Sequence, residues 1–192
     1  MNFKRIVLAS GSPRRRELLE QVGMKFDVVV SDVEEKVTKT LPGDVVCELS
    51  SQKAMAVYEM LEDRENILVI GADTVVSANN VILGKPKGFE DAVSMIKMLQ
   101  DGEHSVYTGV TLVIEGRCHT FSEETKVKVY PMTEEQICAY VKTGEPMDKA
   151  GAYGIQGLFA AYVRGIDGDY NNVVGLPVGR ICEYLRRIGY EI

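Results

Sequence analysis

Strand-like and helix-like segments alternate along this chain of 192 residues, which predicts a fold of the α/β kind. Three observations carry that reading. The apolar run from Ile6 to Ala9 hands over to a helix that opens at Ser12 and Pro13, with Leu18, Leu19 and Val22 on one face before Gly23. The stretch ILVIGADTVVSANNVIL, from Ile67 to Leu83, is a continuous apolar run followed by turn residues and a short return strand. A hydrophobic content of 45% with six prolines supplies a full core rather than a disordered chain.

Taken in order, FDVVV from Phe26 to Val30 reads as a buried strand that ends in the acidic loop holding Glu34 and Glu35. From Pro42 to about Leu61 the pattern turns helical, with Val46, Leu49, Ala56 and Met60 as the apolar stripe and Lys53 on the same face. A lysine there must snorkel, pair with a carboxylate or face a polar cleft. In the next strand Asp73 interrupts the apolar run just after Gly71 and Ala72, small residues that let another group approach the backbone, and Asn79 and Asn80 are able to take positive φ. GKP (Gly84 to Pro86) leads to a helix from Phe89 to Leu99. A long hairpin follows, turning at Glu115 and Gly116. Thr133 with Gln136 forms a capping box. EPMDKAGAYGIQG shows no clean period and reads as a functional or flexible loop, Ala160 to Val163 as a strand, IDGDY as a turn, and Pro177 to Ile188 as a closing amphipathic helix. With no linker or repeat, residues 1–192 are expected to form a single domain with two lobes.

The net charge of −6, from 22 basic and 28 acidic residues, disfavours nucleic acid as a partner. The chain opens on one strand-length apolar run, and nowhere do enough apolar residues run together to span a bilayer, so neither leader nor membrane segment is expected. Cys47, Cys118, Cys138 and Cys182 are far apart, which fits free thiols in the cytoplasm better than a zinc site or a disulfide framework.

The chemistry is narrowed first by absences: there is no P-loop, no nucleophile elbow, and GAYGIQG does not have the glycine spacing of a dinucleotide fingerprint. What remains is a set of cations (Arg14, Arg15, Lys53, Lys85) and a set of carboxylates (Glu34, Glu35, Asp73, Asp148). Cations suit phosphate oxygens; carboxylates suit a hard divalent ion that bridges to phosphate. The strand-to-helix handover at SGSPRR adds free N–H groups and the Ser10 and Ser12 hydroxyls as an anion dock. This mixture points to metal-assisted phosphoanhydride chemistry, with Asp73 as metal ligand or as acceptor of a water proton.

SGSPRR, GADT, GKP, DKAGAYGIQG and IDGDYNNVVGLP, in that order over essentially the whole chain, closely resemble the Maf family of nucleoside triphosphate pyrophosphatases. The resemblance implies an elongated mixed sheet flanked by helices, related to inosine-triphosphatase-like enzymes, with two lobes around a central cleft. It implies hydrolysis of a nucleoside triphosphate to the monophosphate and pyrophosphate with a divalent cation, Mg²⁺ or Mn²⁺. Ser10, Arg15, Glu34, Lys53, Asp73 and Lys85 match the family's catalytic positions, Glu34 and Asp73 being the expected metal ligands. Arg14, Thr74 and Gln156 match positions that mark the subfamily acting on dTTP and UTP. Members are also linked to clearing modified pyrimidine nucleotides and to arrest of cell division. The assembly is left open, a homodimer included.

The chain departs from the family where relatives have a second small residue after Gln-Gly: here Leu158 and Phe159 follow, and a ring beside Gln156 is expected to narrow the base pocket. Two other readings compete. LASGSPRR echoes the triphosphate-binding start of nucleotidyltransferases, which would require an acceptor substrate. A non-catalytic nucleotide-binding regulator of cell division would show no turnover.

Overall fold

In the computed structural model, which describes residues 2–79 and 81–190, β1 (Arg5–Leu8) pairs in parallel with β2 (Asp27–Val28) on one side and with β3 (Ile67–Ala78) on the other. The sheet continues through β5 (Glu103–Ile114) and β6 (Arg117–Val129) to β7 (Val163–Asp167), while β4 (Val81–Leu83) folds back antiparallel on β3. β7 runs antiparallel to β6, so this sheet of seven strands is mixed. The helices are α1 (Pro13–Gln21), α2 (Pro42–Met60), α3 (Phe89–Leu99), α4 (Glu134–Lys142), α5 (Tyr170–Val174) and α6 (Val178–Arg187).

Several local expectations are met for local reasons. The Thr133–Gln136 capping box has both of its reciprocal bonds, at 2.8 and 3.3 Å. Glu115 and Gly116 both take positive φ at the tip of the β5–β6 connection, as does Asn79 after β3; Asn80 lies outside the described residues.

Other expectations need correction. FDVVV is not a buried strand: only Asp27 and Val28 pair, at the sheet edge, and Val30 is 55% exposed. The buried stripe of α2 is Val45, Val46, Leu49, Ser50, Ala54 and Val57, and Met60 is exposed, because the face that meets the sheet is turned slightly from the one read off the sequence. Ala160 belongs to a 3-10 turn, Leu158–Tyr162; the strand begins at Val163, where pairing to Val129 becomes available, and takes in Ile166 and Asp167.

Tertiary contacts gather the chain into two compact units, Met1–Asp73 with Thr108–Glu123 and Gly175–Ile192, and Thr74–Tyr107 with Glu124–Val174. The first has an apolar cluster built from Val7, Ala9, Ala54, Val57, Ile67, Val69 and Val113. Here α2 lies so close to the sheet that a Cβ on Gly71 would sit 2.6 Å from the Ser50 carbonyl oxygen, and one on Gly109 would sit 2.2 Å from that of Val46. The second holds α3 beside α4 and an aromatic group in which Phe159 meets Tyr140, Tyr153 and Tyr162 at centroid distances of 5.1, 4.7 and 5.7 Å. Buried His104 completes it, its Nε2 lying 2.8 Å from the Tyr153 hydroxyl.

Candidate active site

The handover from β1 to α1 remains registered on β3, since Ala9 N–H bonds to the Ile70 carbonyl at 2.8 Å. Ser12 occupies the N-cap position and Pro13 the first turn, but the Ser12 side chain makes no capping bond. The Ser10 hydroxyl lies just ahead of it, within the loop. Nearly buried, its Oγ accepts the Ser12 N–H at 3.3 Å and Arg15 Nη1 at 3.1 Å. Arg15 also donates to the carbonyls of Ala72 (2.9 Å) and Gly175 (2.9 Å), which ties the helix start to the middle of β3 and to the segment preceding α6. Burial lowers the pKa of its guanidinium, Asp73 raises it, Arg14 lowers it and Glu35 raises it, so these four charges share one electrostatic neighbourhood.

Lys53 is positioned by the close seat of α2. Ala54 packs against Gly71, and its neighbour Lys53 then reaches Asp73, two residues further along β3. Lys53 Nζ donates to Asp73 Oδ1 at 2.5 Å and lies 3.1 Å from Glu35 Oε1; the side chains of Lys53 and Asp73 are 22% and 14% exposed. Of the three options open to a lysine on this face, pairing with carboxylates is the one adopted.

Glu35, rather than its neighbour Glu34, meets Lys53; Glu34 is exposed. The irregular acidic loop is fastened to α2 by two side chains that the sequence did not single out. Gln52 accepts the Lys36 N–H (2.9 Å) and donates to the Lys36 carbonyl (2.7 Å). Glu48 accepts the Thr38 N–H (2.8 Å) and the Thr38 hydroxyl (2.5 Å). Their i,i+4 spacing on the helix that carries Lys53 was the available signal.

Thr74, Lys85 and Gln156 belong to the second unit. Thr74 directly follows Asp73 in β3 and is half-buried, whereas Lys85 and Gln156 are exposed. Backbone joins two of the motifs here: Gly151 N–H donates to the Gly84 carbonyl at 3.0 Å, linking GKP to the DKAGAYGIQG segment. Phe159 is 0% exposed, its ring taken up by the aromatic group, while Leu158 is 61% exposed.

The family model described as Maf-like protein matches residues 5–188. This chain belongs to the Maf family. It is 52% identical over 205 residues to the dTTP/UTP pyrophosphatase of Agathobacter rectalis, covering 99% of this chain and 100% of that protein. It is 48% identical to that of Lachnoclostridium phytofermentans (97% and 96% covered) and 46% identical to one from Bacillus cereus (100% and 93%). Among solved structures, the Staphylococcus aureus Ham1 protein is similar at 16% identity and a TM-score of 0.44, covering 66% of this chain and 72% of that one.

For a Maf protein with such relatives a divalent metal is the general expectation. Among the described residues no three or more His, Cys, Asp or Glu side chains are gathered into a ready-made cage. A Mg²⁺-like ion needs no such cage, because it takes one or two carboxylates and completes its shell with water and phosphate. Asp73 and Glu35 offer oxygen donors that already converge on one cation, the Lys53 ammonium, and they fit that demand.

Proposed function

We propose that this chain hydrolyses dTTP and UTP to the nucleoside monophosphate and pyrophosphate. The observation that carries the reading is the Lys53–Asp73 pair, with Glu35, in the electrostatic neighbourhood of Arg15 and its partner Ser10. The names of relatives at 46–52% identity support the substrate.

Ser10, Arg15 and the opening of α1 receive phosphate oxygens, and Lys85 serves the charge of the departing pyrophosphate. Asp73 accepts the proton of the attacking water. The water oxygen forms a bond to the α-phosphorus as the bond from that phosphorus to the α,β-bridging oxygen breaks. Lys53 holds the accepting carboxylate in place. Asp73 and Glu35 would hold a divalent cation, Mg²⁺ or Mn²⁺, which would supply charge neutralisation on the phosphates. Arg14, Thr74 and Gln156 select the pyrimidine, an arginine and an amide offering the donors and acceptor that a pyrimidine edge needs. The free cysteines support a cytoplasmic setting, where the reaction acts on the nucleotide pool.

The test is release of pyrophosphate and monophosphate from dTTP or UTP with Mg²⁺ or Mn²⁺ and water alone. A strict need for a sugar-phosphate or alcohol acceptor overturns the reading, as does the absence of turnover with every triphosphate.

A further inference from the structure

Gly154 and Gly157 bracket a tight turn, in which Gly157 N–H donates to the Gly154 carbonyl at 3.1 Å and Ile155 and Gln156 form the middle. Ile155 is buried, and Gln156 stands exposed at the turn. Two side chains lie across the bracketing glycines. A Cβ on Gly157 would fall 2.3 Å from Glu145 Oε1, and one on Gly154 would fall 2.7 Å from Lys149 Cε. The three-residue spacing of these glycines is therefore the imprint of a glutamate and a lysine laid on the backbone.

Glu145 grips the exit of the turn. Its Oε2 accepts the Leu158 N–H at 2.8 Å and its Oε1 accepts the Tyr140 hydroxyl at 3.0 Å, so one carboxylate joins the turn to α4. Lys149 clasps the entry, donating to the Glu145 carbonyl (2.6 Å) and to Asp148 Oδ1 (2.6 Å). Burial and the Glu145 charge push the Tyr140 hydroxyl well above its ordinary pKa, which keeps it a donor to Glu145.

We propose that Glu145 is a positioning residue that sets the Gly154–Gly157 turn and, through Gln156, the discrimination among nucleotide bases. This rests on the reading that Gln156 selects the base. Removing the carboxylate leaves the Leu158 N–H and the Tyr140 hydroxyl without their acceptor and frees the turn to move.

The experiment compares Glu145→Ala, Glu145→Gln, Gln156→Ala and the Glu145→Ala/Gln156→Ala double variant with the wild-type chain. The readouts are kcat and KM for dTTP, UTP, dCTP and GTP, together with thermal melting. Glu145→Ala is expected to raise KM for dTTP and UTP about tenfold, the scale of losing charge-assisted hydrogen bonds, with kcat changed less. Preference over dCTP and GTP falls to the level of Gln156→Ala, and the double variant is no worse than either single one. Glu145→Gln, which keeps volume and one acceptor, recovers part of the preference and is the variant judged if the alanine form does not fold. If the Glu145 variants melt earlier yet keep wild-type base preference while Gln156→Ala loses it, Glu145 is only structural and the proposal falls alone. If Gln156→Ala itself keeps wild-type preference, the reading of Gln156 fails and takes the proposal with it.

Discussion

The Lys53 ammonium lies 2.5 Å from Asp73 Oδ1 and 3.1 Å from Glu35 Oε1, so one cation from the middle of α2 joins the end of an apolar strand segment to an irregular acidic loop. The pair is mostly shielded from water, yet the surrounding helix and strand are held by apolar packing and by backbone bonds that do not need it. Lys53→Ala is therefore expected to reduce kcat for dTTP by about a hundredfold or more, in the range of losing a positioned acid–base partner. The cost in stability is about 1–2 kcal/mol, since the pair retains some contact with solvent. Steady-state kinetics beside a thermal melt separate the two effects. A variant that melts much earlier while its folded fraction turns over normally would make Lys53 a structural residue.

The seat of α2 gives a second prediction. Gly109→Ala places a methyl 2.2 Å from the Val46 carbonyl oxygen, and Gly71→Ala places one 2.6 Å from that of Ser50; both obstacles are backbone. Each substitution forces the helix outward and is expected to cost about 1–3 kcal/mol in denaturant unfolding. Gly71→Ala should also lower turnover, because Ala54 and hence Lys53 move relative to Asp73. Unfolding midpoints at wild-type values for both variants would contradict the packing.

His104 links stability to pH. Burial lowers its pKa from the ordinary 6.5 to about 4, so between those values the unfolded chain binds a proton that the folded chain does not. The stabilising contribution is whole above pH 6.5 and is lost as pH falls toward and through 4. Between pH 7 and 4.5 the wild-type chain is expected to lose about 2–3 kcal/mol more than His104→Gln, which has no such group to titrate. Denaturation curves for both proteins across this range supply the difference, and parallel pH profiles would refute it.

Phe159 belongs to the interior, where its ring meets three tyrosines. Phe159→Ala is expected to cost about 3–5 kcal/mol by opening a cavity, whereas Phe159→Leu costs less and leaves the ratio of dTTP to UTP hydrolysis unchanged. A changed ratio in the leucine variant, measured at a temperature where it is folded, would assign the ring to the base pocket instead.

Much of this molecule was written locally. The Thr133–Gln136 box, the Glu115–Gly116 turn and the span of α2 were legible because each depends on neighbours within a turn or two of backbone. The ordered motifs likewise named the family and most of the candidate side chains, since a motif records residue identity at fixed spacing. Partnership was not legible in this way. Lys53 and Asp73 are 20 positions apart and Arg15 and Gly175 are 160 apart, and their meeting depends on how closely α2 and α1 settle on the sheet. That packing decided that Glu35 rather than Glu34 meets the lysine, and the aromatic packing with Tyr140, Tyr153 and Tyr162 decided that Phe159 rather than Leu158 turns inward. In each case a long-range contact chose between adjacent or equivalent groups that the linear pattern leaves equal.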